Sequence, residues 1–179
     1  MGRILFVLGG ARSGKSRYAQ SRAAQAAGPG RPVAFIATAE GRDEEMQGRI
    51  DRHRRDRPAG WITLEAPREA GKALQGIGPE AGAVLVDCLT LLVSNLLLAA
   101  PDPGKAEQAV LAEIASLLAA ARAAPAPVIL VSNEVGQGVV PPTELGRAFR
   151  DIAGRAHQLV AAEADEVVFL TAGLPQKLK

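Results

Sequence analysis

The sequence predicts an α/β fold, a doubly wound and mostly parallel sheet flanked by helices, on three observations. Short apolar runs rich in β-branched residues recur along the chain, segments of helical periodicity separate them, and the first run leads through a glycine-rich loop into a helix-forming stretch. Near-continuous apolar runs suit strands buried on both faces of a parallel sheet. Their alternation with helices implies right-handed crossovers.

The strands are expected at Ile4–Leu8, Val33–Ala37, Ala83–Val86, Val128–Val131 and Val167–Leu170. Alanine-rich residues 15–27 read as the first helix. Leu89–Ala100 is apolar but broken by Ser94 and Asn95, which makes it a buried helix too short to span a bilayer. Residues 105–124 place Val110, Leu111, Ile114, Leu117 and Leu118 at helical spacing, and residues 143–163 do the same with Leu145, Phe149, Ile152, Ala156, Leu159 and Val160. Pro125-Ala126-Pro127 punctuates a helix end before a strand. Gly28–Pro32 and Pro101–Gly104 read as surface connections. With no internal repeat and no long linker, residues 1–179 are expected to form a single α/β domain.

Composition narrows the function classes. Lys and Arg outnumber Asp and Glu by a formal charge of only +2, and aromatic residues make up 3% of the chain. A nucleic-acid partner needs a basic surplus or stacking platforms, so none is expected. A lone cysteine, Cys88, rules out an intramolecular disulfide and suits a reducing compartment; it reads as a small core residue beside a strand end. The opening apolar run is too short for a secretion signal. The expectation is a cytoplasmic protein with no membrane insertion.

Chemistry enters with Gly9-Gly10-Ala11-Arg12-Ser13-Gly14-Lys15-Ser16, a full match to G-x-x-x-x-G-K-[ST] with a strand before it and a helix after it. Glycines let the backbone curl until successive N–H groups point at phosphate oxygens. The following helix N-terminus adds favourable partial charge. Lys15 is expected to bridge the β- and γ-phosphates of a nucleoside triphosphate, and Ser16 to offer its hydroxyl to Mg²⁺. Asp87, at the end of Ala83–Val86, is the expected second metal ligand at the carboxyl edge of the sheet. Together these features predict the P-loop, RecA-like version of the fold.

Residues 42–57 are charged almost throughout, with Met46 and Ile50 the apolar exceptions. Two readings stand. One is a solvated surface helix laced with pairs such as Glu45–Arg49 and Asp51–Arg55. The other turns on His53, which shares a helical face with Met46 and Ile50 and sits among Arg52, Arg54, Arg55 and Arg57. Nearby cations disfavour protonation of the imidazole and keep it nucleophilic. The same guanidiniums suit phosphate oxygens and charge developing at phosphorus.

A set of segments in order then resembles one family. They are the phosphate loop, Ile36-Ala37-Thr38-Ala39, Asp43-Glu44-Glu45-Met46 leading to Arg49-Ile50 and His53, and Arg57-Pro58-Ala59 with Trp61. Asn133-Glu134-Val135-Gly136 with Val140-Pro141, and Phe149-Arg150-Asp151-Ile152-Ala153-Gly154-Arg155, complete it. The chain resembles the bifunctional adenosylcobinamide kinase/adenosylcobinamide-phosphate guanylyltransferase family from residue 4 to about 173. The resemblance implies that ATP or GTP phosphorylates adenosylcobinamide, and that GTP then donates GMP to the resulting phosphate, giving adenosylcobinamide-GDP and pyrophosphate. It further implies that His53 carries GMP covalently, and that the chain is a homotrimer. Nucleotide contacts carry over to Gly9, Gly10, Ala11, Arg12, Ser13, Gly14, Lys15 and Ser16, to Ala37, Thr38 and Ala39, and to Arg54, Arg55, Asp56, Arg57, Glu65 and Asp87.

Two positions depart from the family's pattern. Arg52 stands where some relatives have a second histidine, and His157 where asparagine is often found; His157 is expected to be an ordinary partly buried residue. Asn133 and Glu134 follow a strand at the edge where α/β sheets bind ligands. Glu134 and Asn133 are read either as a loop held by local hydrogen bonds or as groups that orient an acceptor hydroxyl or a metal-bound water. Two rival functions remain, a P-loop kinase or NTPase without a covalent intermediate, and a GTP-binding protein that turns nothing over.

Overall fold

Residues along a strand point alternately to the two faces of its sheet, and in this chain the alternation divides the core in two. The computed structural model describes residues 2–41, 43–55 and 57–179, without the side chains of Arg49 and His53. Arg42 and the expected nucleotide contact Asp56 lie outside the described residues.

The elements run β1 (Ile4–Gly9), α1 (Lys15–Ala27), β2 (Val33–Ala37), α2 (Glu44–Arg55), β3 (Ile62–Glu65), α3 (Ala70–Gln75) and β4 (Ala83–Asp87). They continue with α4 (Leu89–Ala99), α5 (Pro103–Ala123), β5 (Val128–Asn133), α6 (Glu144–Glu163), β6 (Glu166–Thr171) and β7 (Leu174–Lys177). The seven strands form one sheet in the order β3-β2-β4-β5-β1-β6-β7. All neighbouring pairs are parallel except β6 with β7. Strand β5 therefore separates β1, which feeds the glycine loop, from β4, which ends in Asp87.

On one face Ile4, Phe6, Leu8, Val84, Val86, Val128 and Leu130 pack under α3, α4, α5 and α6. On the other, Leu5, Val7, Phe35, Leu85, Ile129 and Val131 meet Ala19, Ala23 and Ala27 of α1. These alanines recur every four residues, so α1 presents a smooth stripe that lies close against the sheet. Every residue of β1, β2 and the first four of β4 is buried, as their unbroken apolar composition requires.

The five expected strands and the expected helices are all present, together with two further strands and one further helix. Strand β3, strand β7 and the six-residue α3 were not expected, because each is short and two are exposed along most of their length. β7 folds back on β6 through Ala172 (φ 51°) and Gly173 (φ 83°). This pair of positive φ angles is what a two-residue hairpin turn demands. Pro103 and Gly104, read as loop, belong to the first turn of α5: Asp102 Oδ1 accepts from the Lys105 N–H at 2.8 Å, and Pro103 sits where a helix tolerates proline.

Helix α6 buries Ile152, Ala153, Ala156, His157 and Val160, while Leu145 and Leu159 at its margins are exposed. Helix α4 is buried as expected. Its polar Asn95 is 4% exposed and donates to the carbonyls of Thr38 (2.8 Å) and Pro67 (2.9 Å). Burial of that amide is thereby compensated, and the chain just beyond β2 is pinned. Among the described residues no helix is long and apolar enough to cross a membrane.

Candidate active site

Six parallel strands point their carboxyl ends to one edge, and the chemistry-bearing residues gather there. The register sets Asn133 beside Gly9, Ala37 beside Glu65, and Asp87 beside both Ala37 and Val131. β1 ends in Gly9, and its loop turns into α1 with Arg12 at φ 55° and Gly14 at φ 91°. A side chain at Gly9 would meet Ser13 Oγ at 2.5 Å and the Leu170 carbonyl at 2.8 Å, so only glycine fits there. Gly14 has both a left-handed φ and Gly173 Cα 3.2 Å from where a Cβ would stand.

Two bonds hold this loop from outside and one from within. Gly9 O accepts from the Glu134 N–H at 3.0 Å and Ser13 O from the Gly173 N–H at 2.9 Å, while inside the loop Gly10 O accepts from the Ser13 N–H at 3.3 Å. Lys15 Nζ donates to Gly10 O at 3.2 Å, keeping the ammonium over the loop. Ser13 is 7% exposed, and its buried Oγ has no hydrogen-bond partner among the described residues. An unpaired hydroxyl inside a phosphate loop fits a site designed for an anion's oxygens.

Thr38 ties β2 to β4. Its Oγ1 accepts from the Cys88 N–H at 2.8 Å and donates to the Cys88 carbonyl at 2.7 Å, while its N–H donates to Asp87 O at 3.3 Å. Ala37 and Thr38 are buried and Ala39 half-buried. Cys88 is a core residue, as expected; burial, assisted by the charge of Asp87, pushes its thiol up to about 11 and keeps it unreactive. Asp87 and Ser16 are both half-buried at this edge. Both are hard oxygen donors of the kind Mg²⁺ takes. Among the described residues no group of three or more His, Cys, Asp or Glu could hold a metal alone. A Mg²⁺ here would complete its shell with phosphate oxygens and water.

The charged segment forms α2, started by Asp43, whose Oδ1 accepts from the Met46 N–H at 2.7 Å. His53 lies on this helix, though its side chain is outside the description. Arg54 pairs with Glu65 at the end of β3 and stands 3.8 Å from Asp51. Arg52 and Arg55 are exposed. Arg57 lies with its guanidinium carbon 3.9 Å from the centre of the Phe35 ring and donates to Thr63 Oγ1 at 3.1 Å. Burial, with Arg54 nearby, lowers the Arg57 guanidinium from its ordinary value, and the charge of Asp87 works the other way. Its Nε has no partner among the described residues. The structure thus brings Ala37, Thr38, Asp87, Arg54, Arg57 and Glu65 to one side of the edge, with the phosphate loop across β4 and β5 from them.

Sequence reasoning missed the polar chain beneath the loop that follows β5. His157 Nε2 lies 2.7 Å from Ser132 Oγ, Ser132 Oγ lies 3.0 Å from Thr90 Oγ1, and Thr90 Oγ1 accepts from the Asn133 N–H at 2.7 Å. His157 Nδ1 is 4.0 Å from Glu134 Oε2. The signal in the sequence was faint: Ser132 interrupts an apolar strand, and Thr90 sits in an apolar helix. His157 is 7% exposed and so buried rather than partly buried, because α6 turns it onto Phe6 with ring centres 5.8 Å apart.

Burial holds the His157 imidazole below its usual value near 6.5, with Glu134 opposing. A histidine with a lowered folded value contributes stability that is present above the unfolded value and lost as pH falls through the folded one. The urea midpoint of the wild type is therefore expected to drop more steeply between about pH 7.5 and about pH 5.5 than that of His157→Asn. Equal slopes would show that the buried ring does not resist protonation.

A parallel sheet with a glycine-lined phosphate loop at its carboxyl edge defines a P-loop α/β protein of nucleotide chemistry. Residues 5–178 match the family model described as cobinamide kinase / cobinamide phosphate guanyltransferase, and the chain belongs to that family. It is 43% identical to the bifunctional adenosylcobalamin biosynthesis protein CobU of Escherichia coli (strain K12), over 98% of this chain and 99% of the relative. The CobU of Salmonella typhimurium is 42% identical over the same shares. The bifunctional adenosylcobalamin biosynthesis protein CobP of Pseudomonas aeruginosa is 46% identical over 97% of this chain and 95% of the relative.

Proposed function

We propose that this chain carries out both reactions on one nucleotide-binding domain spanning residues 1–179. In the first, ATP or GTP gives its γ-phosphoryl group to the hydroxyl of adenosylcobinamide. In the second, His53 displaces pyrophosphate from GTP, holds GMP through a P–N bond, and passes it to adenosylcobinamide phosphate. Gly9 to Ser16 bind the phosphates, with Lys15 stabilising the charge that develops on them. Ser16 and Asp87 hold Mg²⁺. Ala37, Thr38, Ala39, Arg54, Arg55, Asp56, Arg57 and Glu65 form the rest of the nucleotide contacts.

The observation that carries this reading is the tether of α2 to the sheet edge. Arg54 pairs with Glu65, which is level with Ala37, which is level with Asp87. The helix that contains His53 is therefore tied to β3, two strands from the one that offers the metal ligand and at the same edge as the phosphate loop. Lowering of the Arg57 guanidinium by burial beside Asp87 points the same way, since an anion would compensate it.

The chain acts as a homotrimer in the cytoplasm. The experiment is turnover: with adenosylcobinamide, GTP and Mg²⁺, mass spectrometry is expected to show the phosphate first and adenosylcobinamide-GDP with pyrophosphate afterwards. Phosphate alone would leave a small-molecule kinase, and GTP bound without turnover would leave a binding protein.

A further inference from the structure

Glu134 is a carboxylate at the mouth of the phosphate loop to which the two reactions above assign no task. It directly follows β5, and its N–H donates to Gly9 O at 3.0 Å, so its backbone is fixed to the first residue of the loop. Because β5 runs between β1 and β4, Glu134 emerges between the phosphate loop and the strand of Asp87.

Of the other carboxylates near this edge, Asp87 is the proposed metal ligand, Glu65 pairs with Arg54, and Glu40 accepts from Arg68 at 2.9 Å. Glu134 differs: its Oε1 accepts from the Gly136 N–H at 2.5 Å, and its Oε2 stands 4.0 Å from His157 Nδ1. No Lys or Arg forms an ion pair with it among the described residues. The side chain is 24% exposed, neither buried nor loose. His157, locked by Ser132 and Phe6, forms a wall behind it. A cleft of about 340 Å³ opens beside Gly136, lined also by Arg150, Asp151, Gly154, Arg155 and Gln158.

We propose that Glu134 is the general base of the kinase step, which rests on the functional reading above. The acceptor's hydroxyl oxygen enters from this cleft and attacks the γ-phosphorus. The new O–P bond forms, the bond from phosphorus to the bridging oxygen breaks, the nucleoside diphosphate leaves, and the hydroxyl proton passes to Oε2 of Glu134. One carboxylate oxygen is held by a backbone N–H, and the other has lone pairs available to a hydroxyl. A base in this role must lie within hydrogen-bond reach of the proton it takes. The anchoring of Glu134 to Gly9 supplies that constraint.

The second reaction needs no such base. Its attacking groups are in turn an unprotonated imidazole nitrogen and a phosphate monoester, which is largely dianionic at neutral pH, so neither attacking atom has a proton to surrender. The proposal therefore predicts a split between the two half-reactions that a merely structural residue would not produce. In Glu134→Gln, kcat for phosphorylation of adenosylcobinamide is expected to fall by about 10²–10⁴-fold. Transfer of GMP from GTP to pre-formed adenosylcobinamide phosphate is expected to stay within about threefold of wild type. Glu134→Asp is expected to restore part of the kinase activity, with its loss in kcat rather than KM.

Equal losses in both half-reactions would overturn the proposal and make Glu134 a support for the loop. Kinase activity unchanged in Glu134→Gln would overturn it as well. A folded wild-type chain that phosphorylates no adenosylcobinamide overturns the functional reading itself, a failure read from the wild type alone and so distinct from the other two.

Discussion

In the His53→Ala variant, incubation with GTP labelled at its α-phosphorus is expected to leave no label on the denatured chain, while the wild type keeps one that acid removes. In the proposed step the imidazole nitrogen attacks the α-phosphorus, the P–N bond forms, and pyrophosphate departs with the electrons of the broken P–O bond. A neutral ring is needed for that attack. Because the nucleophile acts covalently, guanylyl transfer should fall by about 10⁴-fold or more in the variant. Phosphorylation of adenosylcobinamide, which uses no histidine in this scheme, should persist. Label retained by His53→Ala would move the intermediate to another residue. An active wild type that never retains label would remove the covalent step and leave a P-loop kinase.

The elements that could be read from the sequence are those whose local pattern and tertiary role agree. β1, β2, β4, β5 and β6 are buried on both faces, so each announces itself as an apolar run, and α5 and α6 announce themselves by periodicity. β3 is the counterexample. Ile62 and Thr63 are exposed and the strand is held mainly by its register with β2, so nothing in its four residues marks it before β2 is in place. β7 likewise owes its existence to a turn at Ala172-Gly173 and to β6 beside it. Propensity cannot signal a strand that pairing alone creates.

The same distinction governs the site. The phosphate loop is contiguous in the chain, and its glycines are dictated by its own geometry, so it is legible in eight residues. The relations of Thr38 to Cys88, of Arg57 to Phe35, and of Thr90, Ser132 and His157 to one another join residues far apart in sequence. Each is a product of strand order. His157 reads as an unremarkable helix residue until β5 and β1 are set side by side, at which point it becomes the wall behind Glu134.

Lys15→Ala addresses how one loop serves two reactions. The pattern G-x-x-x-x-G-K-[ST] occurs once in the sequence, yet the proposed function uses a triphosphate twice, with attack at γ in one step and at α in the other. Lys15 is half-buried, its Nζ lies 3.2 Å from Gly10 O, and the loop is held by Glu134 and Gly173 through backbone bonds the substitution leaves alone. The variant should therefore fold. Loss of a preorganised cation at developing phosphate charge is expected to lower kinase kcat by about 10²–10³-fold. If GTP occupies the same loop in both steps, labelling of His53 should fall by a comparable factor, because the α- and γ-phosphates are then held by one set of contacts. If labelling instead persists while kinase activity is lost, GTP for the transferase step is bound elsewhere, by the arginines of α2 and the segment after it. The size of the two losses, measured side by side in one variant, thus decides whether α2 swings its histidine to a nucleotide on the loop or carries a nucleotide site of its own.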